Sequence, residues 1–241
     1  MPVLRDALTI YRQQGVGQLT HSAVTFLGDV LPVERRPVSY NGVEVLAGSR
    51  LSELLPISLA RPTYESSIVD ALRTHVSQGD VVVVVGGGWG VSSVVAAEEA
   101  GESGEVIVYE GAVRQVRRTT ETVAHNGVAD RARIEHAIVG PKVELNGSEG
   151  DAGRIHTDEL PDCDVLVLDC EGAERAILRE MEVAPSVVIV ETHGLFDSPT
   201  ADIEELLTDR GYEITSRDVA DEGKSEFCRE NDVFVLAATS R

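Results

Sequence analysis

Lysine is almost missing from this chain: of 241 residues only Lys142 and Lys224 are lysine, while 41 acidic residues face 21 basic ones for a net charge of −20. A surface so poor in cations excludes the clustered Lys/Arg face that a phosphate backbone requires, so nucleic acid is not an expected partner. Acid excess with lysine depletion is instead the composition expected of a protein from a halophilic source, where concentrated salt screens self-repulsion within a few ångströms. The densest basic group, Arg114, Arg117 and Arg118, has i, i+3, i+4 spacing and reads as a solvated helix face. Cysteine is scarce too. Cys163, Cys170 and Cys228 are odd in number and lack C-x-x-C spacing, which excludes a disulfide framework and a zinc pattern and suits a reducing compartment. No run approaches eighteen apolar residues and no signal-type segment opens the chain, so a soluble, cytoplasmic protein without an integral membrane segment is expected.

What is present is an alternation of strands and helices. With 42% hydrophobic residues, the chain has enough apolar surface for one sizeable core. Residues 1–60 are short and mixed in pattern, with helical spacing in Val3–Tyr11 and Leu19–Leu31. The Asn41-Gly42 pair between β-prone residues signals a hairpin. This part reads as an N-terminal arm or cap, placed either over a site or between subunits of a homo-oligomer. From 61 to 241 the pattern is that of one catalytic domain. A helix is expected at 64–76, strands at 81–85, 105–109, 133–139, 164–168 and 187–191, and helices near 90–101, 112–126, 172–183 and 200–210. Two final β-like runs, 212–216 and 232–238, have no clear helix between them. Repeated βα units specify an α/β fold: a mostly parallel, Rossmann-like sheet of seven strands with an antiparallel C-terminal edge and helices on both faces. The polar stretch 141–163 reads as a loop with at most a short strand.

Ligands in such sheets bind beyond the carboxyl ends of the strands. The first strand, Val81–Val85, runs into Gly86-Gly87-Gly88-Trp89-Gly90, and Glu110 closes the next apolar run twenty residues past Gly90. Glycines there let the backbone turn and approach a ligand, and an acid at that distance can accept the two hydroxyls of a ribose. The dinucleotide spacing G-x-G-x-x-G fails, because Val91 stands where the third glycine belongs. The phosphate loop fails for want of a lysine. G-x-G-x-G at Gly86, Gly88 and Gly90 fits class I S-adenosylmethionine-dependent methyltransferases. Two later strands also end in acids: one in Asp169-Cys170-Glu171-Gly172-Ala173-Glu174, the other in Glu191-Thr192-His193. Glu174 suits the ordinary charge at a helix N-terminus.

With Tyr64-Glu65, Val108-Tyr109-Glu110 and Asn126-Gly127, these strings stand in the order of FkbM-type methyltransferases, which residues 60–195 resemble. The D-x-E-G-x-E string is the most specific of them. The resemblance implies a class I methyltransferase fold, S-adenosylmethionine as donor with S-adenosylhomocysteine as product, and a hydroxyl acceptor on a sugar, glycan or small natural product. It implies cofactor contacts from Glu65, Gly86, Gly87, Gly88, Trp89, Gly90, Glu110, Gly111, Ala137 and Asp169. Departures are Val84 in place of an Asp two residues before the first glycine, Gly88 for Asn, Gly111 for Pro, and Val167 for Lys. Losing the acid at Val84 removes a group that organises the cofactor's polar end.

Transfer to a hydroxyl requires alignment and removal of one proton. His193, with an ordinary pKa near 6.5, is the expected general base, and Asp169, Glu191 and Glu171 are the further catalytic candidates. Their spacing is not diagnostic of a metal, and none is expected. The rival readings are an NAD(P)-dependent oxidoreductase and a catalytically silent binding protein on the methyltransferase fold.

Overall fold

The computed structural model describes residues 34–49, 58–141, 147–196 and 198–241. The helical patterns expected at 3–11 and 19–31 lie outside the described residues. In chain order the elements are β1 (Arg35–Tyr40), β2 (Val43–Ser49), α1 (Ser66–His75), β3 (Val81–Val85), α2 (Val91–Ala100), β4 (Glu105–Glu110), α3 (Val113–His125), β5 (Ala132–Val139), β6 (Gly153–Ile155), β7 (Val165–Leu168), α4 (Glu174–Glu180), β8 (Val187–Glu191), α5 (Thr200–Asp209), β9 (Tyr212–Val219), α6 (Ser225–Glu230) and β10 (Phe234–Ser240).

The main sheet has the order β6-β5-β4-β3-β7-β8-β10-β9. All its neighbours pair in parallel except β10, which runs antiparallel to both β8 and β9. Two details differ from the sequence expectation. The sheet has eight strands, because Gly153–Ile155 adds to the free edge of β5 through Ala137–Val139. The C-terminal edge is antiparallel as expected, with β10 pairing antiparallel to both β8 and the outermost β9, but α6 bridges the final pair where no clear helix was expected.

Alternation along the strands builds two cores, one on each face of the sheet. Val82, Val84, Val106, Val108, Val165 and Val167 pack with α1, α2 and the β1-β2 hairpin. Val83, Val85, Ile107, Leu166 and Leu168 pack instead with Ile177 and Leu178 of α4 and Ile203 and Leu207 of α5. Helix α3 is amphipathic: Gln115, Arg118, Thr119, Thr122 and Val123 turn inward at helical spacing. Arg118 therefore departs from the solvated face expected of it, being 6% exposed, with its guanidinium carbon 3.8 Å from the centroid of the Trp89 ring. A planar cation on an indole face keeps its attraction when desolvated, which lets the arginine turn in.

The hairpin turns at Asn41 (φ 48°) and Gly42 (φ 90°), as a two-residue turn with both φ positive requires. It is tied to the rest of the molecule. Asn126 donates to the Glu44 carbonyl at 2.8 Å, Asn41 donates to the Tyr64 carbonyl at 3.1 Å, and Tyr40 meets the rings of Tyr64 and Trp89 at 5.2 and 5.4 Å. The hairpin thus backs the glycine loop that follows β3. No helix among the described residues is long and apolar enough to cross a membrane.

Candidate functional site

Chain order runs outward from β3 to β4 and β5, then returns to β7 on the other side of β3. The switch point therefore lies between β3 and β7, where adjoining connections leave in opposite directions and open a crevice. Gly86 closes β3 with φ 104°, and a Cβ there would stand 1.8 Å from the Asp169 carbonyl oxygen. Only glycine lets the ends of β3 and β7 come so close. The cleft at this point is lined by Tyr64, Glu65, Val85, Gly86, Gly88, Tyr109, Glu110, Gly111, Ala112, Gln115, Ala137, Ile138, Val139, Asp169, Cys170, Glu171 and Ala173.

Glu110 shapes this crevice. One oxygen of its buried carboxylate accepts from the backbone N–H of Gly87 at 2.8 Å and Gly88 at 3.1 Å, and the other accepts from Ala112 N–H at 2.7 Å. Three fixed donors leave one of about four lone-pair sites open. The expectation that Glu110 takes both hydroxyls of a ribose thus meets a carboxylate already committed to bracing the loop, with room for a single further donor.

Glu65 approaches the loop from the other side. It precedes α1 with φ 50°, a left-handed conformation uncommon outside glycine. Its Oε2 accepts from Ser92 N–H at 3.2 Å, and a Cβ on Gly88 would lie 3.5 Å from its Oε1. Burial, with the charge of Asp169 adding to it, pushes the Glu65 carboxyl up to about 7. Val84, the departure from the family pattern, is fully buried between Val108 and Val167. Glu65 rather than residue 84 brings a carboxylate to this end of the loop.

The acids at the ends of β7 and β8 gather around one imidazole. His193, 8% exposed, faces Glu174 through Nδ1 at 3.0 Å, and its Nε2 lies 3.5 Å from both Asp169 Oδ1 and Glu191 Oε1. Glu174, fully buried at the start of α4, also accepts from Cys170 N–H at 3.0 Å and Gly172 N–H at 2.9 Å. Burial works to lower the His193 pKa, but the bond to Glu174 and the charges of Glu191, Glu174 and Asp169 outweigh it and carry the imidazole up to about 10. Burial likewise works to raise Glu174, and the His193 contact overcomes it to hold that carboxylate below its ordinary range. Burial lifts Asp169 to about 6, against the pull of His193. It also lifts Glu171 to about 7 with help from Asp169, and it raises Glu191.

Of the residues singled out in the sequence, Glu65, Gly86, Gly88, Glu110, Gly111, Ala137, Asp169 and Glu171 line the cleft, and Glu191 and His193 stand behind Asp169. Gly87, Trp89 and Gly90 do not line it. A Cβ on Gly87 would meet Thr119 Oγ1 at 2.8 Å, and one on Gly90 would meet the Thr119 Cα at 3.0 Å, so these glycines seat the loop on α3. The Trp89 ring turns toward Tyr40 and Arg118, because the apolar hairpin offers it a partner that a polar cleft does not. Glu174 is more than a charge at a helix terminus, since its carboxylate joins the 170–172 turn to His193. Gln115 and Tyr64 also line the cleft. Gln115 shares its helix face with Arg118, which read as solvated, so its spacing gave no sign that it lines the cleft.

Asp169, Glu191 and His193 can each bring one donor atom within 4.8 Å of the others, the single such group among the described residues. The cleft suits a nucleoside carrying a cationic amino-acid tail. The loop leaves a cradle that a side chain on Gly88 would fill against Tyr64 and Glu65. Its apolar end is formed by Ala137, Ile138 and Val139, and the opposite end carries carboxylates.

Solved structures share this architecture. A ribosomal protein L11 methylase from Lactobacillus delbrueckii subsp. bulgaricus superposes with a TM-score of 0.51 at 14% identity, over 73% of this chain and 79% of that one. A candidate transferase from Pyrococcus horikoshii gives 0.53 at 13% identity over 85% and 71%, and a candidate rRNA methylase from Clostridium thermocellum gives 0.50 at 14% over 72% and 93%. At such identities the likeness is one of fold. No curated protein matches the sequence. Residues 125–214, from the last residue of α3 into β9 and including Asp169, Glu171, Glu174, Glu191 and His193, match the model of the Methyltransferase FkbM domain, on a fold shared with solved methylases.

Proposed function

We propose that the cleft binds S-adenosylmethionine and that the protein methylates a hydroxyl of a sugar, glycan or small natural-product acceptor. The observation that carries this reading is the glycine loop braced by Glu110 at the switch point, opening directly onto the Asp169 and Glu171 carboxylates. S-adenosylmethionine, when bound, supplies a methyl group activated by a sulfonium. Glu65 and the Gly86–Gly88 loop would hold its amino-acid end, the open lone pair of Glu110 one ribose hydroxyl, and Ala137 with its neighbours the base.

The remaining work belongs to the chain. Asp169, lifted by burial toward neutral pH yet still largely ionised there, accepts the proton of the acceptor hydroxyl, because a base is most effective when its pKa lies near the working pH. His193, protonated and fixed by Glu174, stands behind Asp169 and Glu191 as the cation that keeps two adjacent carboxylates together. This assigns the proton to Asp169 and a positioning role to His193, in place of the histidine base expected from sequence. Glu171 accepts hydrogen bonds from the acceptor's other hydroxyls.

A polyanionic acceptor fits poorly. Although two of the structural neighbours are described as acting on a ribosomal protein or rRNA, a net charge of −20 and a carboxylate-lined cleft repel a phosphate backbone. The test is methyl transfer from labelled S-adenosylmethionine to a panel of glycosides and polyol natural products. Asp169→Asn is expected to lower turnover by roughly 10²- to 10⁴-fold, the usual share of a general base, and EDTA to leave turnover unchanged. Full activity in Asp169→Asn, or activity abolished by EDTA, contradicts this assignment.

A further inference from the structure

Gln115 lies in the first turn of α3, five residues past Glu110, and lines the cleft. One turn later Arg118 lies flat on the Trp89 indole at 3.8 Å and donates from Nη1 to Gln115 Oε1 at 2.9 Å. Arginine carries donors only, so this contact fixes which way the amide points: its oxygen is turned to Arg118 and its NH₂ the other way. Gln115 is 9% exposed and lines the cleft, and its oxygen is the end of the amide committed to Arg118. A donor held in one orientation by a buried, stacked cation is set for an acceptor atom arriving from that cleft.

We propose that Gln115 is a cofactor-binding residue whose amide N–H donates to the nucleoside portion of S-adenosylmethionine, with Arg118 on Trp89 as the positioning residue that fixes its orientation. The proposal rests on the cofactor reading above. It gives the glycine-loop tryptophan a task that does not require it to touch the ligand: Trp89 is the platform, Arg118 the clamp and Gln115 the contact. The loop and α3 are then coupled, since a shift of Trp89 moves the amide.

The discriminating variant is Gln115→Glu. A carboxylate pairs with Arg118 more strongly than an amide oxygen does, so a residue that merely supports Arg118 is preserved, whereas the donor toward the cleft is lost. Calorimetry with S-adenosylhomocysteine and with adenosine on the full chain is expected to show Kd raised about five- to tenfold in Gln115→Ala, the range of one neutral hydrogen bond. A rise of at least tenfold is expected in Gln115→Glu for both ligands, with its melting temperature unchanged or higher. Wild-type affinity in Gln115→Glu, or an effect on acceptor KM without one on S-adenosylhomocysteine Kd, overturns the proposal while leaving the cofactor reading intact. Failure of the wild-type chain to bind S-adenosylhomocysteine overturns both.

Discussion

His193 and Glu174 meet at 3.0 Å between Nδ1 and Oε1, and the same carboxylate holds the 170–172 turn through two backbone N–H groups. One fully buried glutamate thus couples the ends of β7 and β8, the two strands that carry the acidic half of the cleft. Glu174→Ala removes the partner of a buried imidazolium and orphans two backbone donors together. Breaking such a pair costs about 3–5 kcal/mol, so the melting temperature is expected to fall by about 10 °C. A melt within 2 °C of wild type contradicts the coupling.

The same contact sets the protonation of His193. Its folded pKa of about 10 lies above the ordinary 6.5, so the stabilisation is fully present below pH 6.5 and is lost as pH rises toward 10. Among the six histidines, one imidazole is expected by NMR to remain protonated at pH 8.5, and its signal to vanish in His193→Asn. Should every imidazole titrate near 6.5, His193 returns as the candidate base.

Glu171 shifts stability in the same direction with pH, although its site disfavours the charged form rather than favouring it. Its folded pKa of about 7 exceeds the ordinary 4.5, so between those values the folded chain keeps a proton that the unfolded chain has released, and stability declines as pH rises through that window. Glu171→Gln is expected to reduce the difference between melting temperatures at pH 5 and pH 8 by a few degrees. An unchanged difference shows that Glu171 is not destabilised by its site.

Much of this arrangement was legible in the residues, and the remainder depends on contacts far apart in sequence. The Val81–Val85 run, the Asn41-Gly42 turn and the alternation of strands and helices are local signals, and each element forms where its pattern lies. The insertion of β10 between β8 and β9 is not local, because pairing partners in a sheet are chosen by topology rather than by neighbours in the chain. The same holds within the site. The acid at Glu110 could be found by its distance from the glycines, but its commitment to Gly87 and Gly88 N–H follows from β4 lying beside β3. The proposed role of His193 as a held cation, in place of the base expected from sequence, rests on three carboxylates converging on it. Arg118 read as solvated because arginine usually is, and the Trp89 face that receives it comes from 29 positions earlier.

The charge of −20 also makes a prediction, since self-repulsion destabilises the compact state and is screened by salt. We expect the melting temperature to rise by at least 10 °C between dilute buffer and 2 M KCl, as a halophilic origin requires. Greater stability in dilute buffer contradicts that origin.

The account stands most directly on whether the Glu110-braced loop receives S-adenosylmethionine. Isothermal titration with S-adenosylhomocysteine and, separately, NAD is the measurement. We expect one saturable site for S-adenosylhomocysteine, at least tenfold weaker binding in Glu110→Ala, and no saturable binding of NAD. Saturable binding of NAD without S-adenosylhomocysteine, or of neither at millimolar concentration, contradicts the methyltransferase reading of the cleft.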